Sequence, residues 1–177
     1  MTPLPAYDAS DPAAYVASRL ALVGDRDPLP LLEAAPDRVA EAVAGLSEDA
    51  ARRPESDGKW SVLQVLRHLA DSEVVYGYRL RLIVAAERPE IAGYDQAAWT
   101  DALHYHRGTV ADALGDYAAG RRMTVAFLRA LDESEWERWG VHSERGKESV
   151  RQIATLLAAH DLGHEQQIAR VREAIGA

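Results

Sequence analysis

The sequence contains no cysteine, and this absence excludes several kinds of site at once. A disulfide framework, a thiolate metal site and a cysteine nucleophile all require that residue. Any metal site must therefore be built from histidine and carboxylate side chains. Phenylalanine is also scarce, with one copy among 177 residues, whereas alanine, leucine and arginine are plentiful. Helix formers thus outnumber the residues that strands prefer, which predicts a helical protein.

Long apolar segments are missing as well. No window of the sequence approaches the ~20 apolar residues of a membrane-spanning helix. Residues 1–10 contain prolines and an aspartate, whereas a secretory signal has a basic start followed by an apolar run. We therefore expect a cytoplasmic protein that has no membrane partner.

Basic residues are in deficit, with 20 lysines and arginines against 28 aspartates and glutamates and a formal charge of −8. Such a charge repels a phosphate backbone unless the basic residues gather on one surface. The pairs Arg52-Arg53 and Arg121-Arg122 are instead separated by acidic residues, which is typical of solvated helix faces. We therefore expect no nucleic-acid partner.

The length of the chain and its 47% of hydrophobic residues suit one hydrophobic core. We therefore predict a single domain over residues 1–177, in which residues 1–11 form an irregular arm. Asp11-Pro12 predicts a helix start, and this first helical region breaks near residues 24–28 and resumes over 29–46. Pro36 predicts a restart within it, because proline in a helix interior costs ~3 kcal/mol.

Three longer helices are predicted over about 61–87, 109–131 and 149–175. Ser61 with Gln64, and Ser149 with Gln152, match the capping-box pattern of a helix start. The connection between the first two of these helices is long enough for a crossover, and the polar segment 132–147 is expected to be irregular. Four main helices with apolar stripes predict an all-α four-helix bundle.

Two histidines interrupt the apolar row of the last helix. The row, at steps of three or four, comprises Ile153, Leu157, His160, His164, Ile168, Val171 and Ile175. Residues four apart lie on one helix face with Cβ atoms ~5–6 Å apart, which suits two ligands of one metal. A bound metal would offset the loss of aliphatic burial, worth ~1.5–3 kcal/mol per side chain. The alternative is a pair of hydrogen-bonded core histidines.

His68 offers a third ligand from the helix that begins near residue 61. It lies beside the apolar stripe, at a matching depth if the two helices run antiparallel. Three imidazoles would leave a coordination position for water or substrate, as in catalytic metal sites. Such ligands suit zinc, nickel, iron and copper alike. The other histidines, His104, His106 and His142, are expected to be solvated or to cap turns.

Three carboxylates near these histidines are candidates for proton transfer or for orienting ligands. Asp71 follows His68 by one turn and is the candidate catalytic residue. Glu73 lies in an apolar row, where it is either an acid/base group or the partner of a buried arginine such as Arg122. Asp161 stands where the zincin motif His-Glu-x-x-His has its glutamate. Because aspartate is shorter than glutamate, we do not expect a metalloprotease. Asp161 should instead face solvent or orient a ligand.

Several of these motifs together resemble the DinB-like superfamily over about residues 28–175. They are Gly58-Lys59-Trp60-Ser61, His68-Leu69-Ala70-Asp71-Ser72-Glu73, His160-Asp161-x-x-His164 and Gln167-Ile168. The resemblance implies an up-down-down-up four-helix bundle that is commonly a homodimer. It also implies one divalent metal ion, zinc or nickel with iron also compatible, bound by His68, His160 and His164.

The resemblance constrains the reaction less closely than the site. Members of the superfamily include bacillithiol transferases and mycothiol-dependent maleylpyruvate isomerase, besides damage-inducible proteins of unknown activity. It implies a metal-dependent transferase that activates a low-molecular-weight thiol for attack on an electrophilic substrate, or a related hydrolase. The alternative is a non-catalytic metal-binding protein induced by damage or stress. Residues that would bind the thiol are not identified by the sequence.

Overall fold

The computed structural model describes residues 11–177, so most of the predicted irregular arm, residues 1–10, lies outside the described residues. The described chain forms eight helices and three short strands. In chain order they are α1 (Pro12–Val23), α2 (Pro28–Ala42), α3 (Glu48–Ala51), α4 (Val62–Ala85), β1 (Glu90–Ile91), α5 (Gln96–Ala102), α6 (Val110–Arg129), α7 (Glu133–Trp136), β2 (Trp139–His142), β3 (Gly146–Ser149) and α8 (Val150–Ile175). The helices α2, α4, α6 and α8 form the predicted four-helix bundle.

The helices α4 and α6 are neighbours in the bundle and run parallel to each other. Arg67 forms an ion pair with Asp116 in the first half of both helices, and Arg81 donates to the backbone oxygen of Met123 further along both. Parallel neighbours require the chain to return to the end where it started. Residues 86–109 make that return, which confirms the predicted crossover.

The helices α2 and α8 form the other parallel pair. Arg38 binds Glu165 at 3.0 Å, and Arg172 donates to the backbone oxygen of Ala42 at 2.7 Å. Between the pairs, α8 is antiparallel to α4, because Trp60 lies beside His164 and the later Tyr76 lies beside the earlier His160. The order is therefore up-down-down-up, as expected.

The start of α4 forms as the capping-box pattern predicts. The backbone N–H of Ser61 donates to the side chain of Gln64, and the Ser61 hydroxyl accepts from the backbone N–H of Gln64. At α8 the Ser149 hydroxyl accepts from the backbone N–H of Gln152. These caps fix where the two helices that carry the histidines begin.

Pro36 does not restart the second helix, contrary to the sequence prediction, and α2 continues through it from Pro28 to Ala42. Proline lacks the N–H that would donate to the carbonyl oxygen four residues earlier, which is that of Leu32. The Arg121 side chain donates to this oxygen instead, at 3.1 Å. A hydrogen bond from another helix thus satisfies the carbonyl that Pro36 leaves without its helical donor.

The segment 132–147, expected to be irregular, contains α7 and most of a β-hairpin. The strands β2 and β3 pair antiparallel, and β1 pairs with β2 in parallel, giving the sheet order β1-β2-β3. Gly140 permits β2 to lie close to the start of β1, because a Cβ at this position would be only 2.8 Å from the backbone oxygen of Pro89. The sequence analysis did not predict this small sheet, which pairs one segment of the crossover (β1) with the hairpin that precedes α8.

The interior of the bundle is divided into two apolar clusters. Along α4, residues 62–70 join one cluster, and Leu80 and Ile83 join the other. Along α8, residues 150–159 pack in the second cluster, and Ile168 and Val171 pack in the first. Between the stretches that belong to the two clusters lie Glu73 of α4 and Asp161 of α8, which are buried, and His160 and His164, which are partly buried. None of the helices in residues 11–177 combines the length and apolar character that a membrane crossing requires.

Candidate metal centre

The histidines predicted to share a metal ion lie together between α4 and α8. The Nε2 atom of His160 is 2.9 Å from Nε2 of His68 and 3.1 Å from Nε2 of His164. One ligand nitrogen from each of the three lies within 4.8 Å of the others. The i, i+4 spacing on α8 supplies the pair, and the antiparallel α4 brings His68 to the same depth.

Trp60, the residue just before the α4 cap, covers one side of this cluster. Its ring centroid is 4.9 Å from that of His68, and it stacks at 14° over the ring of His164 at 6.5 Å. The His68 side chain is buried, with 1% of its surface exposed. Aromatic contact and burial together fix how the imidazoles face each other and keep solvent from this side.

The three imidazoles are neutral at ordinary pH. Burial, with His164 nearby, holds the pKa of His68 well below its usual value, and burial with both neighbours does the same for His160. Burial lowers the pKa of His164 to about 4. A neutral imidazole keeps one ring nitrogen free to bind a metal ion.

Gln167 selects the ring nitrogen that His164 presents. Its side-chain oxygen lies 2.8 Å from Nδ1 of His164, so Nδ1 carries the proton and Nε2 carries the lone pair. The superfamily resemblance included Gln167 among its motifs but gave this residue no role, and the structure supplies one. The residue orients a candidate ligand and sets its tautomer.

The donor set fits a divalent cation. Three neutral imidazoles have converging Nε2 atoms, and with the protons on Nδ1 each would direct a lone pair at a cation between them. Tetrahedral coordination at ~2.0–2.1 Å would separate the ligand nitrogens by roughly 3.3 Å. The observed separations of 2.9 and 3.1 Å fall within a few tenths of an ångström of this. Small adjustments of the rings would therefore accommodate a bound ion.

A cavity of about 620 Å³ lies beside the cluster and has His160 in its wall. Tyr76 and Arg79 of α4 and Leu156 of α8 line part of it, and Tyr15 and Arg19 of α1 form another side. The crossover and the β2–β3 hairpin supply the rest of the wall. A small molecule bound in this space would therefore reach the side of the cluster that Trp60 leaves uncovered. The arrangement suits a cation site that small molecules can reach from the cavity.

A buried ion-pair network lies on α4, α6 and α8. The Arg121 guanidinium donates to Glu73 at 2.9 and 2.5 Å and to Asp161 at 2.6 and 3.1 Å. Thr124 donates to the second oxygen of Glu73 at 2.8 Å. Since Arg121 also binds the carbonyl oxygen of Leu32 on α2, this one side chain of α6 joins its helix to the other three helices of the bundle.

This network corrects three expectations. Glu73 is the partner of a buried arginine, as one alternative held, but that arginine is Arg121 and not Arg122, which is exposed. Arg121 does not belong to a solvated helix face, because 1% of its surface is exposed. Asp161 does not face solvent: it is fully buried and its carboxylate is held by Arg121. A regular helix pattern does not show which of two adjacent arginines turns inward.

Asp71, the candidate catalytic residue, is half-buried and lies outside the cavity wall. Its carboxylate accepts the Tyr105 hydroxyl at 2.6 Å. Burial and this hydrogen bond raise the pKa of Tyr105, which keeps that hydroxyl a donor. The contact ties α4 to the crossover, and the catalytic role of Asp71 stays a prediction.

The remaining histidines divide into two cases. His104 and His106 are exposed, as predicted. His142 follows one of the two expected alternatives, since its Nδ1 accepts the backbone N–H of Glu144 and so caps the turn. It is not solvated: it is buried in β2 with 2% of its surface exposed, and it lines the cavity. The turn signal that could have revealed it is the short segment 143–146 with its terminal glycine, which is typical of a hairpin. Sequence reasoning therefore missed His142 as a residue of the pocket, and it gave no role to Arg79, which also lines it.

Comparison with known proteins agrees with this geometry. Over 152 residues the chain is 28% identical to "Putative metal-dependent hydrolase YfiT" of Bacillus subtilis, covering 79% of this chain and 81% of that protein. Over 149 residues it is 30% identical to a "Putative metal-dependent hydrolase" of Bacillus licheniformis, covering 82% and 83% respectively. The names of both relatives refer to a metal.

A solved structure shares the fold. YfiT from Bacillus subtilis, described as "a probable metal-dependent hydrolase with an unusual four-helix bundle topology", matches with a TM-score of 0.77 at 22% identity. The match covers 99% of this chain and 94% of that one. The model of the DinB superfamily matches residues 31–168, which is most of the sequence. With its bundle order and histidine cluster, the chain thus belongs to the DinB superfamily.

Proposed function

We propose that the protein is a metal-dependent hydrolase in which His68, His160 and His164 bind one divalent cation. The observation that carries this proposal is the convergence of three Nε2 atoms beside a cavity that could admit a substrate. Zinc and nickel are the proposed ions, with iron also compatible, because all three accept neutral imidazole ligands. The names of the Bacillus relatives support hydrolysis as the reaction.

The chain's own residues would prepare the site in three ways. Gln167 keeps the lone pair of His164 on Nε2, and Trp60 keeps water from one side of the cluster. Arg121 holds α4 and α8 at the separation that the histidines need. A divalent cation bound there would lower the pKa of a coordinated water or thiol toward neutrality and thereby supply a nucleophile.

A second candidate reaction is transfer of a low-molecular-weight thiol to an electrophile, as the superfamily resemblance implies. The chain has no cysteine, so the thiol would have to enter as a separate molecule. The cavity of about 620 Å³ is within the usual range for small-molecule sites and has room for more than water. This feature favours a reaction in which two small molecules meet beside His160.

Metal content tests the site itself. Purified protein, loaded with zinc and dialysed, should retain one ion per chain, whereas His68→Ala and His160→Ala should retain much less. His104→Ala is the matched control, because His104 is exposed and outside the cluster; it should retain the full amount. Full retention by either site variant would contradict the proposed ligand set.

Cobalt substitution tests the reaction. Addition of a thiol should change the visible spectrum of cobalt-loaded protein if thiols bind the ion, and a panel of esters and amides should be hydrolysed if water is the nucleophile. Neither effect should occur in His160→Ala. Loaded protein that shows neither effect would support the remaining alternative, a non-catalytic protein whose bound ion raises the melting temperature. The homodimer, the single domain and the cytoplasmic location stay predictions.

A further inference from the structure

Arg79 is a buried arginine in the wall of the cavity that contains His160. It is 5% exposed, and its guanidinium makes one hydrogen bond, 2.6 Å to the backbone oxygen of Ala92. The rings of Tyr76 and Tyr94 each lie 5.8 Å from its central carbon. Among residues 11–177 no carboxylate lies within 4.0 Å of it, although a guanidinium carries five N–H donors. Apart from the bond to Ala92, its guanidinium donors have no acceptor among the described residues, and they are open to the cavity.

His142 adds a second unmatched donor to the same cavity. Its Nδ1 accepts the backbone N–H of Glu144 at 3.2 Å, so the proton of the neutral ring is on Nε2. Burial, together with Arg145, lowers the pKa of His142 to about 4, which keeps the ring neutral. Nε2 is buried and has no hydrogen-bond partner within the described part of the chain. A buried N–H without an acceptor is costly and points to a ligand that supplies one.

The carboxylates near this wall do not supply the missing acceptor. Glu148 is held by Arg145, which also lines the cavity, through contacts of 2.6 and 3.0 Å. Asp95 caps α5 by accepting the backbone N–H of Ala98 at 3.0 Å. Glu144 lines the cavity too, and it has a contact of its own. The unmatched groups of the pocket are therefore donors, and the complementary ligand is an acceptor that carries negative charge.

We propose that Arg79 and His142 form an oxyanion subsite that binds a carboxylate or phosphoryl group of the substrate while its reactive part lies at His160. This inference rests on the proposed function, which it deepens by naming the substrate class. The substrate is a small anionic molecule, because a negatively charged acceptor both satisfies the two donors and compensates the buried guanidinium charge, which a neutral acceptor does not. Arginine suits either group, since its planar guanidinium binds two oxygens at once.

Binding to metal-free protein tests the subsite separately from the cation. Calorimetric titration would use three probes of similar shape: phenyl phosphate, phenylacetate and uncharged benzyl alcohol. We expect one or both anions to bind with one site per chain and the alcohol to bind at least ten-fold more weakly. The preferred anion identifies the group as phosphoryl or carboxylate. Equal binding of all three probes, or of none, would overturn the proposal.

Variants then locate the binding. Arg79→Gln should weaken the anion at least ten-fold, whereas Arg81→Gln should change it less than two-fold. Arg81 is the matched control, because it lies on the same helix and its guanidinium binds the backbone oxygens of Gly77 and Met123 outside the cavity. Equal weakening in both variants would show a general charge effect and refute the subsite.

Arg79→Gln also removes the bond to Ala92 and can impair folding, so a measurement on unaltered protein is needed. In nitrogen-15-labelled protein the His142 ring signal, assigned by its loss in His142→Gln, should shift on addition of the anion. An unshifted signal at saturation would exclude His142 from the subsite. Protein that binds zinc but no anion refutes this inference alone, and protein that binds the anion but no metal refutes the proposed function alone.

Discussion

The carboxylate of Asp161 accepts hydrogen bonds of 2.6 and 3.1 Å from the guanidinium of Arg121, although its neighbour in the chain, His160, faces His68. Successive residues on a helix point about 100° apart, so adjacent positions on α8 serve different purposes. One supplies a candidate ligand, and the other joins α8 to α6. The polar residues of this region thus divide into a candidate cation site and a buried ion-pair network.

Loss of Arg121 should strongly destabilise the protein. Arg121→Met leaves the carboxylates of Glu73 and Asp161 buried without their partner, and breaking a buried ion pair on one side costs about 3–5 kcal/mol. Urea denaturation would measure the free energy of unfolding. Arg122→Met, at the exposed neighbouring position, should change it by less than about 0.5 kcal/mol. Equal effects of the two substitutions would show that the network does not stabilise the fold.

The two glycines of α6 should respond oppositely to alanine. A Cβ at Gly120 would lie 2.6 Å from Cβ of Glu73, whereas a Cβ at Gly115 has no neighbour within 4 Å. Gly120→Ala should therefore push α6 from α4 and cost about 1–3 kcal/mol. Gly115→Ala should stabilise the helix by about 0.5–1 kcal/mol. Thermal melting of both variants provides the comparison, and a stabilised Gly120→Ala would contradict the close helix contact.

Gln167 should affect metal affinity without affecting the fold. Removing the group that orients a metal-binding histidine typically weakens the metal by 10–100-fold. We expect this loss for Gln167→Ala, measured by competition with a coloured chelator, because Nδ1 of His164 then loses its acceptor. Gln166→Ala, at the adjacent position, is the control. Unchanged affinity in Gln167→Ala would mean that His164 is oriented by packing alone.

Acid should destabilise the metal-free protein partly through His142. Its pKa is about 4 in the folded protein, lowered by burial and by Arg145 and Arg79 against the opposing charges of Glu148 and Glu144. In the unfolded chain His142 takes up a proton near pH 6.5. The neutral ring therefore contributes its full stabilisation of the folded state only above that pH. This stabilisation is lost as the pH falls from 6.5 to 4, by on the order of 3 kcal/mol in total.

His142→Gln provides the test of this pH dependence, because glutamine does not titrate. Between pH 6.5 and 4 the free energy of unfolding should fall less steeply in the variant, by up to about 1.4 kcal/mol per pH unit. Urea denaturation at several pH values gives both slopes. Parallel slopes would show that His142 is protonated in the folded protein as readily as in the unfolded chain.

The sequence was sufficient to predict the bundle and the clustering of the three histidines. Capping residues such as Ser61 mark helix starts by local hydrogen bonds, and the apolar rows fix which face of each helix turns inward. Once α4 and α8 face each other, His68, His160 and His164 must lie near one another. These predictions depend on helix periodicity, which is a local property of the sequence.

The partners of the buried charged side chains could not be predicted, because they depend on how distant segments of the chain pack together. Whether Arg121 or Arg122 turns inward is decided by the rotation of α6 against three other helices. The same arginine explains why Pro36 is tolerated within α2, since it binds the carbonyl that proline leaves without a helical donor. Burial of His142 likewise required the pairing of β1 with β2, which joins segments about 50 residues apart. Such relationships appear only when the helices and strands are assembled.

The attachment of Arg121 to the other three helices of the bundle has a consequence for how the protein would exchange ions. Apolar packing and this arginine both hold the helices that carry the imidazoles, so we expect the scaffold to assemble without a cation. A chelator should then strip the ion while the circular dichroism spectrum stays helical, and another ion should enter without denaturant. If ions exchange in this way, the ion bound in a cell would depend on which metals are available there. It would not depend on which metal was present while the chain folded.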